Sequence, residues 1–367
     1  MTEAFAEVTT VLLAKGFSEI FDRIANDGVA VQQDASLPPT ARRALTMLSG
    51  LSLAAAADED LGASVHTVMD KACQPFRAWG LPQFQPPFRY ADVALIDRDL
   101  GVPTEDCREM ARSGGSETAA HEEIHHEHLR MTIKDYPPKE RTKAYTAIRE
   151  LVVRNPAIRE EDLHRFIVEG GHAASARAIM SFYRPIPQAA LHGGVAQRCA
   201  HCGSLLWPER DTVTFPDGRC RIRQCRLANP TPAKRDDIAD TALWRLGTNA
   251  VLAYWVGPGL DEIRIHDALK AAGKRVTLYP QADAADVGVD GLAVGIDVKT
   301  YASPVVLAAK LSRSIGRLDM FDRKILAVPD DKLRLNPRYL EQLRDTYQGK
   351  HPLEFMTVSQ AIRECGR

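Results

Sequence analysis

Ala285–Tyr301 reads ADVGVDGLAVGIDVKTY: two short β-prone runs on either side of an Asp-Gly pair. The composition of each run and the turn signal between them predict a hairpin. Asp286 opens the first run, and Asp297-Val298-Lys299 closes the second, with Asp297 eleven positions beyond Asp286. On a strand, residues two apart share a face, so Asp297 and Lys299 present a carboxylate and an ammonium side by side. If the hairpin brings Asp286 alongside, two carboxylates converge on one point. Such a pair is costly unless a hard cation neutralises it, and magnesium, or manganese in its place, is the natural candidate. Asp290 competes for the first acidic position, but it precedes Gly291 and has the look of the turn itself, whereas Asp286 begins a strand.

The flanks extend this unit. GPGLDEIRIHDALKAAGK, from Gly257, carries Leu260, Ile263, Ile265 and Leu269 at helical spacing, and Gly273 is placed to end the helix. RVTLYP is a predicted strand. SPVVLAAKLSRSIGRL returns to helix, with Ser303 and Pro304 at N-cap and first-turn positions. KILAVP is a further apolar strand. The predicted order is helix, three strands, helix, strand (αβββαβ).

With DVK on the third strand, VGI directly before it and Asp286 at the start of the second, residues of about 240–330 resemble the PD-(D/E)xK (restriction endonuclease-like) nuclease superfamily. The resemblance implies a magnesium-dependent endonuclease in which Asp286 and Asp297 hold the metal, the Val298 carbonyl completes its coordination, and Lys299 serves the attacking water. It also implies an extra acid on the preceding helix, filled by Glu262 with Asp261 as its rival. In the following helix Lys310, Arg313 and Arg317 fall at i, i+3 and i+7, a basic face suited to a phosphate backbone.

A second constellation lies upstream. Cys199 and Cys202 form C-x2-C, and after seventeen intervening residues Cys220 and Cys225 form C-x4-C. Two short-spaced thiolate pairs are what tetrahedral zinc needs, and the segment resembles a zinc ribbon. Thr212–Phe215 reads as a strand and Pro216-Asp217-Gly218 as its turn. Four thiolates leave no open coordination position, so the zinc is expected to be structural. His201, inside the first pair, competes as a ligand. If the second pair lies on a strand, Arg219, Arg221 and Arg223 project to one side, and Arg221 and Arg223 are candidate nucleic-acid contacts.

The rest of the chain bounds these readings. Hydrophobic content of 45% and charged content of 26% are those of an ordinary globular protein, and the net charge of -1 excludes a uniformly basic nucleic-acid coat. No apolar run is long enough for a membrane span, and the N-terminus lacks signal-peptide features. Of seven cysteines, four cluster with metal-ligand spacing while Cys73, Cys107 and Cys365 are scattered, which fits a reducing cytoplasm. The expected organisation is multidomain: a mainly helical N-terminal region (1–110), a helical segment resembling helix-turn-helix around Asn155-Pro156 (111–195), the zinc ribbon (196–231) and the nuclease-like α/β core (232–367). SFYRPIPQAALHGG and RLANPTPAKRDD are the expected linkers. In the helical segment, Arg159 and Arg165 are candidate phosphate contacts, although a packing module is the blander expectation.

HEEIHHEH, His121–His128, spells H-E-x-x-H, with His121 and His125 one helical turn apart. Zinc proteases bury that helix, whereas Glu123, His126, Glu127 and His128 make this one polar almost all round, and no glycine-spaced third histidine follows. A solvated helix face is expected, with Ser116 as its cap.

The combined expectation is a metal-dependent nuclease acting on DNA in bacterial restriction or phage defence. Analogy of arrangement adds a helicase or PIWI-like partner, and double-strand cutting with one site per chain points to a homodimer. The alternatives are a non-catalytic nucleic-acid-binding scaffold of a defence complex and, last, the metalloprotease.

Overall fold

The computed structural model describes residues 3–27, 36–113, 129, 133–134 and 136–367. The His121–His128 cluster and Ser116 lie outside the described residues. By their contacts the residues group into two units, each drawn from separated stretches of chain. One comprises 1–121, 300–314 and 338–350; the other comprises 122–299, 315–337 and 351–367.

The first unit is helical, as its sequence predicts. Its helices include Glu3–Asp27, Pro39–Ala54, Val65–Ala72 and Glu105–Ser113, and no helix among the described residues is long and apolar enough to cross a membrane. The proline-rich passage packs as an aromatic cluster, with Phe76 centred 4.8 Å from Trp79 and 5.0 Å from Phe84. Helix Pro304–Arg313 starts as expected, with the Ser303 hydroxyl accepting from Val306 N–H at 3.3 Å. Asp106 secures the approach by accepting from the amides of Ala302 (2.7 Å) and Ser303 (2.9 Å).

The second unit carries the candidate chemistry. Its main sheet has five strands in the order β1 Val276–Leu278, β2 Val287–Val289, β3 Val294–Val298, β4 Arg323–Val328 and β5 Glu354–Thr357. The β1–β2 and β2–β3 pairs are antiparallel, whereas β3, β4 and β5 run parallel to one another. Together with helices Gly257–Ala271 and Pro304–Arg313, the sequence of elements through β4 is helix, three strands, helix, strand. The fifth strand was not foreseen.

Val287, Val289 and Ile296 lie in the core, as do the consecutive Ile325 and Leu326, because β4 is buried on both faces. Each such side chain contributes roughly 1.5–3 kcal/mol on full burial. Gly295 is required where it stands: a Cβ there would lie 2.5 Å from the Phe321 ring. The β2–β3 turn spans the four residues 290–293 and opens on Asp290 and Gly291, both left-handed with φ of 51° and 76°.

Two expected linkers are built into sheets. Tyr183–Pro185 pairs with Trp244–Gly247, which also pairs with Ala157–Arg159. Ala157–Arg159 therefore stands between helices Arg141–Arg154 and Glu160–Glu169, so the Asn155-Pro156 break leads into a strand rather than a helix-turn-helix turn. Arg165 is engaged by Glu161 (2.9 Å) and Asp162 (3.1 Å) on its own helix. Likewise Lys234–Ile238 pairs with Val195–Cys199 and belongs to the cysteine-bearing sheet.

Candidate active site and cysteine centre

Helix Arg141–Arg154 is designated α1 and helix Gly257–Ala271 α2. At the C-terminal end of β3 the antiparallel pairing sets Asp286 beside Asp297. The Asp286 amide donates to Ile296 O (3.1 Å), and its Oδ2 accepts from Val298 N–H at 2.6 Å. Asp297 and Lys299 project together, with Nζ 2.8 Å from Oδ2. Lys299 Nζ also donates to the Val298 carbonyl at 3.3 Å. From α2, Glu262 reaches the same group of charges and is 1% exposed, while Asp286 is 5% exposed. Asp286, Asp297, Lys299 and Glu262 thus belong to one neighbourhood of charged groups.

Electrostatics at that point are those of crowded, desolvated carboxylates. Burial pushes the Asp286 carboxyl well up, and Glu262 and Asp297 push it further, against the pull of Lys299 and Arg149. Burial also raises Glu262, which Arg149 pulls down. Asp290 sits at the hairpin turn, bonded by Arg275 at 3.0 Å, and Asp261 turns away from Glu262 toward Arg264 (3.6 Å). Burial raises Asp261 to about 6.

Arg149, Tyr279 and Asp283 are the residues sequence reasoning missed. Arg149 projects from α1 and is 4% exposed. Its Nη2 lies 3.2 Å from Glu262 Oε1 and 3.6 Å from Asp286 Oδ1, and its Nη1 contacts Asp283. The guanidinium stacks on Tyr279, 4.1 Å from the ring centroid. Tyr279, Gln281, Ala282 and Asp283 all take left-handed backbone conformations, with φ of 48°, 53°, 54° and 77°. Each costs on the order of 1 kcal/mol or more in a non-glycine residue, and this strained turn delivers Tyr279 and Asp283 to the arginine. One sequence signal existed: Arg149 falls within the buried stripe Tyr145, Ile148, Val152 of α1, where an unpaired charge would be intolerable.

The cysteine centre assembles as its spacing predicts. All four Sγ atoms lie within 4.8 Å of one another, with Cys199–Cys225 at 3.8 Å and Cys202–Cys220 at 3.6 Å. These separations are far beyond a disulfide. They match the edge of about 3.8 Å that follows from a tetrahedron with Zn–S near 2.3 Å. Hydrogen bonds from Cys202, Cys220 and Cys225 pull the Cys199 thiol down, and Cys202 and Cys225 rise in return. The four buried cysteines can hold a metal such as zinc. His201 is not among them: its ring nitrogen pairs with Thr231 O at 3.2 Å.

Thr212–Phe215 is not a strand. The Asp211 carboxylate accepts from the amides of Val213 (3.2 Å) and Thr214 (3.0 Å), and this local turn displaces ladder pairing. The hairpin instead pairs Leu205–Trp207 with Arg219–Cys220. Arg223 begins helix Arg223–Ala228 and Arg221 stacks 3.4 Å over Trp207, so the expected arginine row along one strand does not form. The downstream basic face is also broken. Lys310 donates to Tyr301 Oη (3.1 Å) and Arg313 pairs with buried Glu109. The helix ends at Arg313, leaving Arg317 in a separate turn where it donates to Gln281 O at 2.7 Å.

Among the described residues, the cysteines are the one group with three or more ligand atoms so close together. The carboxylates near Asp286 do not form such a group.

Residues 259–367 match the family model described as "REase associating with pPIWI_RE", and residues 25–159 match the one described as "pPIWI_RE three-gene island domain Y". No curated protein and no solved structure matches the chain. The two family matches indicate a restriction-endonuclease-associated defence-island protein.

Proposed function

We propose that the chain is a magnesium- or manganese-dependent endonuclease of the PD-(D/E)xK type, hydrolysing phosphodiester bonds in DNA as part of a defence island, with a PIWI-like protein as partner. The observation that supports this is that Asp286 and the Asp297–Lys299 pair sit side by side at one end of the β2–β3 pair, with buried Glu262 among the charges acting on Asp286. Asp286 and Asp297 would hold the ion, with the Val298 carbonyl and Glu262 completing the donor set. When bound there, a divalent ion supplies polarisation of the scissile phosphate and a lowered pKa for water. Lys299, already 2.8 Å from Asp297, orients the attacking water and offsets charge on the phosphorus. Structural zinc at Cys199, Cys202, Cys220 and Cys225 is part of the same proposal. Arg221 and Arg223 beside it, and Lys310, Arg313 and Arg317 after β3, remain proposed DNA contacts. Arg313 would have to leave Glu109 to serve.

One observation favours a second reading, a scaffold that grips nucleic acid without cutting it: Arg149 pairs with Glu262 and reaches Asp286, so a side-chain cation already serves two of the proposed metal ligands. The discriminating experiment incubates plasmid DNA and casein with wild type, Asp297→Ala, Lys299→Ala and His121→Ala. Magnesium-dependent nicking lost in the first two variants and kept in the third supports the nuclease. Normal DNA binding without cleavage would support the scaffold. Proteolysis lost with His121 would point to the metalloprotease.

A further inference from the structure

Helix Arg223–Ala228 carries Cys225, the last of the four clustered cysteines, and also packs against α2. Both helices belong to the same unit. A helix of six residues is too short to hold itself, so what ties it down sets its place. Two ties run to the cysteine centre. Cys225 Sγ lies 3.8 Å from Cys199 Sγ, and Arg226 Nη1 donates to Cys220 O at 2.9 Å. Two more run to the core. A Cβ on Gly257, the first residue of α2, would lie 2.4 Å from Gln224 Oε1, and Arg334 Nη2 donates to Leu227 O at 2.9 Å. Leu227 stands in the last turn, whose carbonyls have no partner within the helix.

Cavities flank this helix. One of about 200 Å³ is lined by Cys199, Cys220 and Cys225 together with Phe215 and Arg219. A larger cleft of about 690 Å³ lies between the helix, α2 and the segment leaving β4, and Leu227, Leu260, Ile263 and Pro329 are among its walls. Protein interiors are close-packed as a rule, so a short helix bordered by open space depends on its few ties. Metal binding is the strongest of these, because the free energy of holding structural zinc is itself folding free energy.

The helix α2 stands between this strap and the candidate site. Leu260, Asp261, Ile263 and Arg264 line the cleft, and at helical spacing they share the side turned away from Glu262. Glu262 reaches the other way, to Arg149 at 3.2 Å. A displacement of α2 on the strap side therefore moves Glu262 relative to Asp286.

We infer that the cysteine centre positions the candidate active site: zinc held by Cys225 and its three partners fixes the strap helix, the strap fixes α2, and α2 presents Glu262. Gln224 and Arg334 are the positioning residues of this link, since neither is a zinc ligand or one of the site's carboxylates. The consequence for Glu262 rests on the nuclease reading above, whereas the link between the cysteine centre and α2 does not. Such a coupling is reciprocal, so a change made on α2 must be felt as a change in zinc affinity.

The test is the zinc affinity of the full chain, read by competition with a chromophoric chelator, together with hydrogen exchange with and without zinc. Gly257→Val removes no ligand but displaces the Gln224 carboxamide, and is expected to weaken zinc binding at least about tenfold. Adding Gln224→Ala relieves the clash and should restore most of that loss. Stripping zinc from wild type should lower the protection of residues 257–271 and leave that of Glu3–Asp27, in the other unit, unchanged. Unchanged zinc affinity in a folded Gly257→Val protein, or a loss that Gln224→Ala does not relieve, would overturn the inference. Protection of α2 that ignores zinc, or that falls only together with Glu3–Asp27, would overturn it as well. Should Gly257→Val not fold, Arg334→Met takes its place: weaker zinc binding is expected, and unchanged affinity contradicts the link. None of these readouts needs cleavage, so an inert chain would refute the nuclease reading while the zinc data decide the link.

Discussion

Arg149 Nη2 lies 3.2 Å from Oε1 of Glu262, and both side chains are nearly sealed from water. Buried ion pairs add little net stability when intact, but removing one partner strands the other charge, at a cost of roughly 3–5 kcal/mol. Arg149→Met is therefore expected to lower stability by about that amount in urea unfolding. Adding Glu262→Gln should recover at least about 1 kcal/mol of it. Strict additivity of the two substitutions would show that the residues are not coupled.

The cysteine centre should behave as a structural metal site. The purified chain is expected to carry one zinc ion. Cys220→Ser, or extraction by a strong chelator, should remove it and unfold the Val195–Ile238 sheet, because structural zinc supplies much of the folding energy of such small modules. Elemental analysis together with proteolysis of that segment checks this. Zinc loss with no change in protection would contradict a structural role.

Asp261 gives a pH-dependent test that separates it from its neighbour. Its carboxyl is raised from 3.8 to about 6 by burial, helped by Asp331 and Asp330. A carboxylate with a raised folded value binds its proton more tightly when folded, so its favourable contribution exists below about pH 4 and is lost as pH rises through about 6. Asp261→Asn should accordingly stabilise the chain by about 1–3 kcal/mol at pH 8, and hardly at all at pH 4. Thermal melts at the two pH values read this directly. Glu262→Gln, but not Asp261→Asn, is expected to impair cleavage.

The histidine cluster should not add a metal. His121→Ala/His125→Ala is expected to leave zinc content at one ion per chain and to leave DNA cleavage unchanged. A wild-type zinc content of two, falling to one in this variant, would show that H-E-x-x-H binds metal after all.

What was legible in the sequence follows from distance along the chain. Ser303-Pro304, the Asp290-Gly291 turn and the C-x2-C knuckle are local devices whose physics is complete within a few residues. Asp286, Asp297 and Lys299 were legible because a hairpin is the shortest way to bring two strands together. Arg149 was not, because only the packing of α1 reveals what faces it, 113 residues later. Local chemistry also misled where it competed: Asp211 folds its own turn over a segment with strand composition. Ser314 leaves the helix in an extended conformation, which cuts Arg317 from the face it shares in sequence.

The central claim is a metal-dependent nuclease centre at Asp286, Asp297 and Lys299. Its most direct test is the rate of supercoiled plasmid cleavage by the zinc-loaded full chain at pH 8, with magnesium and with chelator, for wild type and Lys299→Ala. Cleavage by wild type that needs magnesium and falls at least about 100-fold in Lys299→Ala, with DNA binding retained, is the expected result. Cleavage that persists undiminished in Lys299→Ala, or that ignores the removal of magnesium, would contradict it.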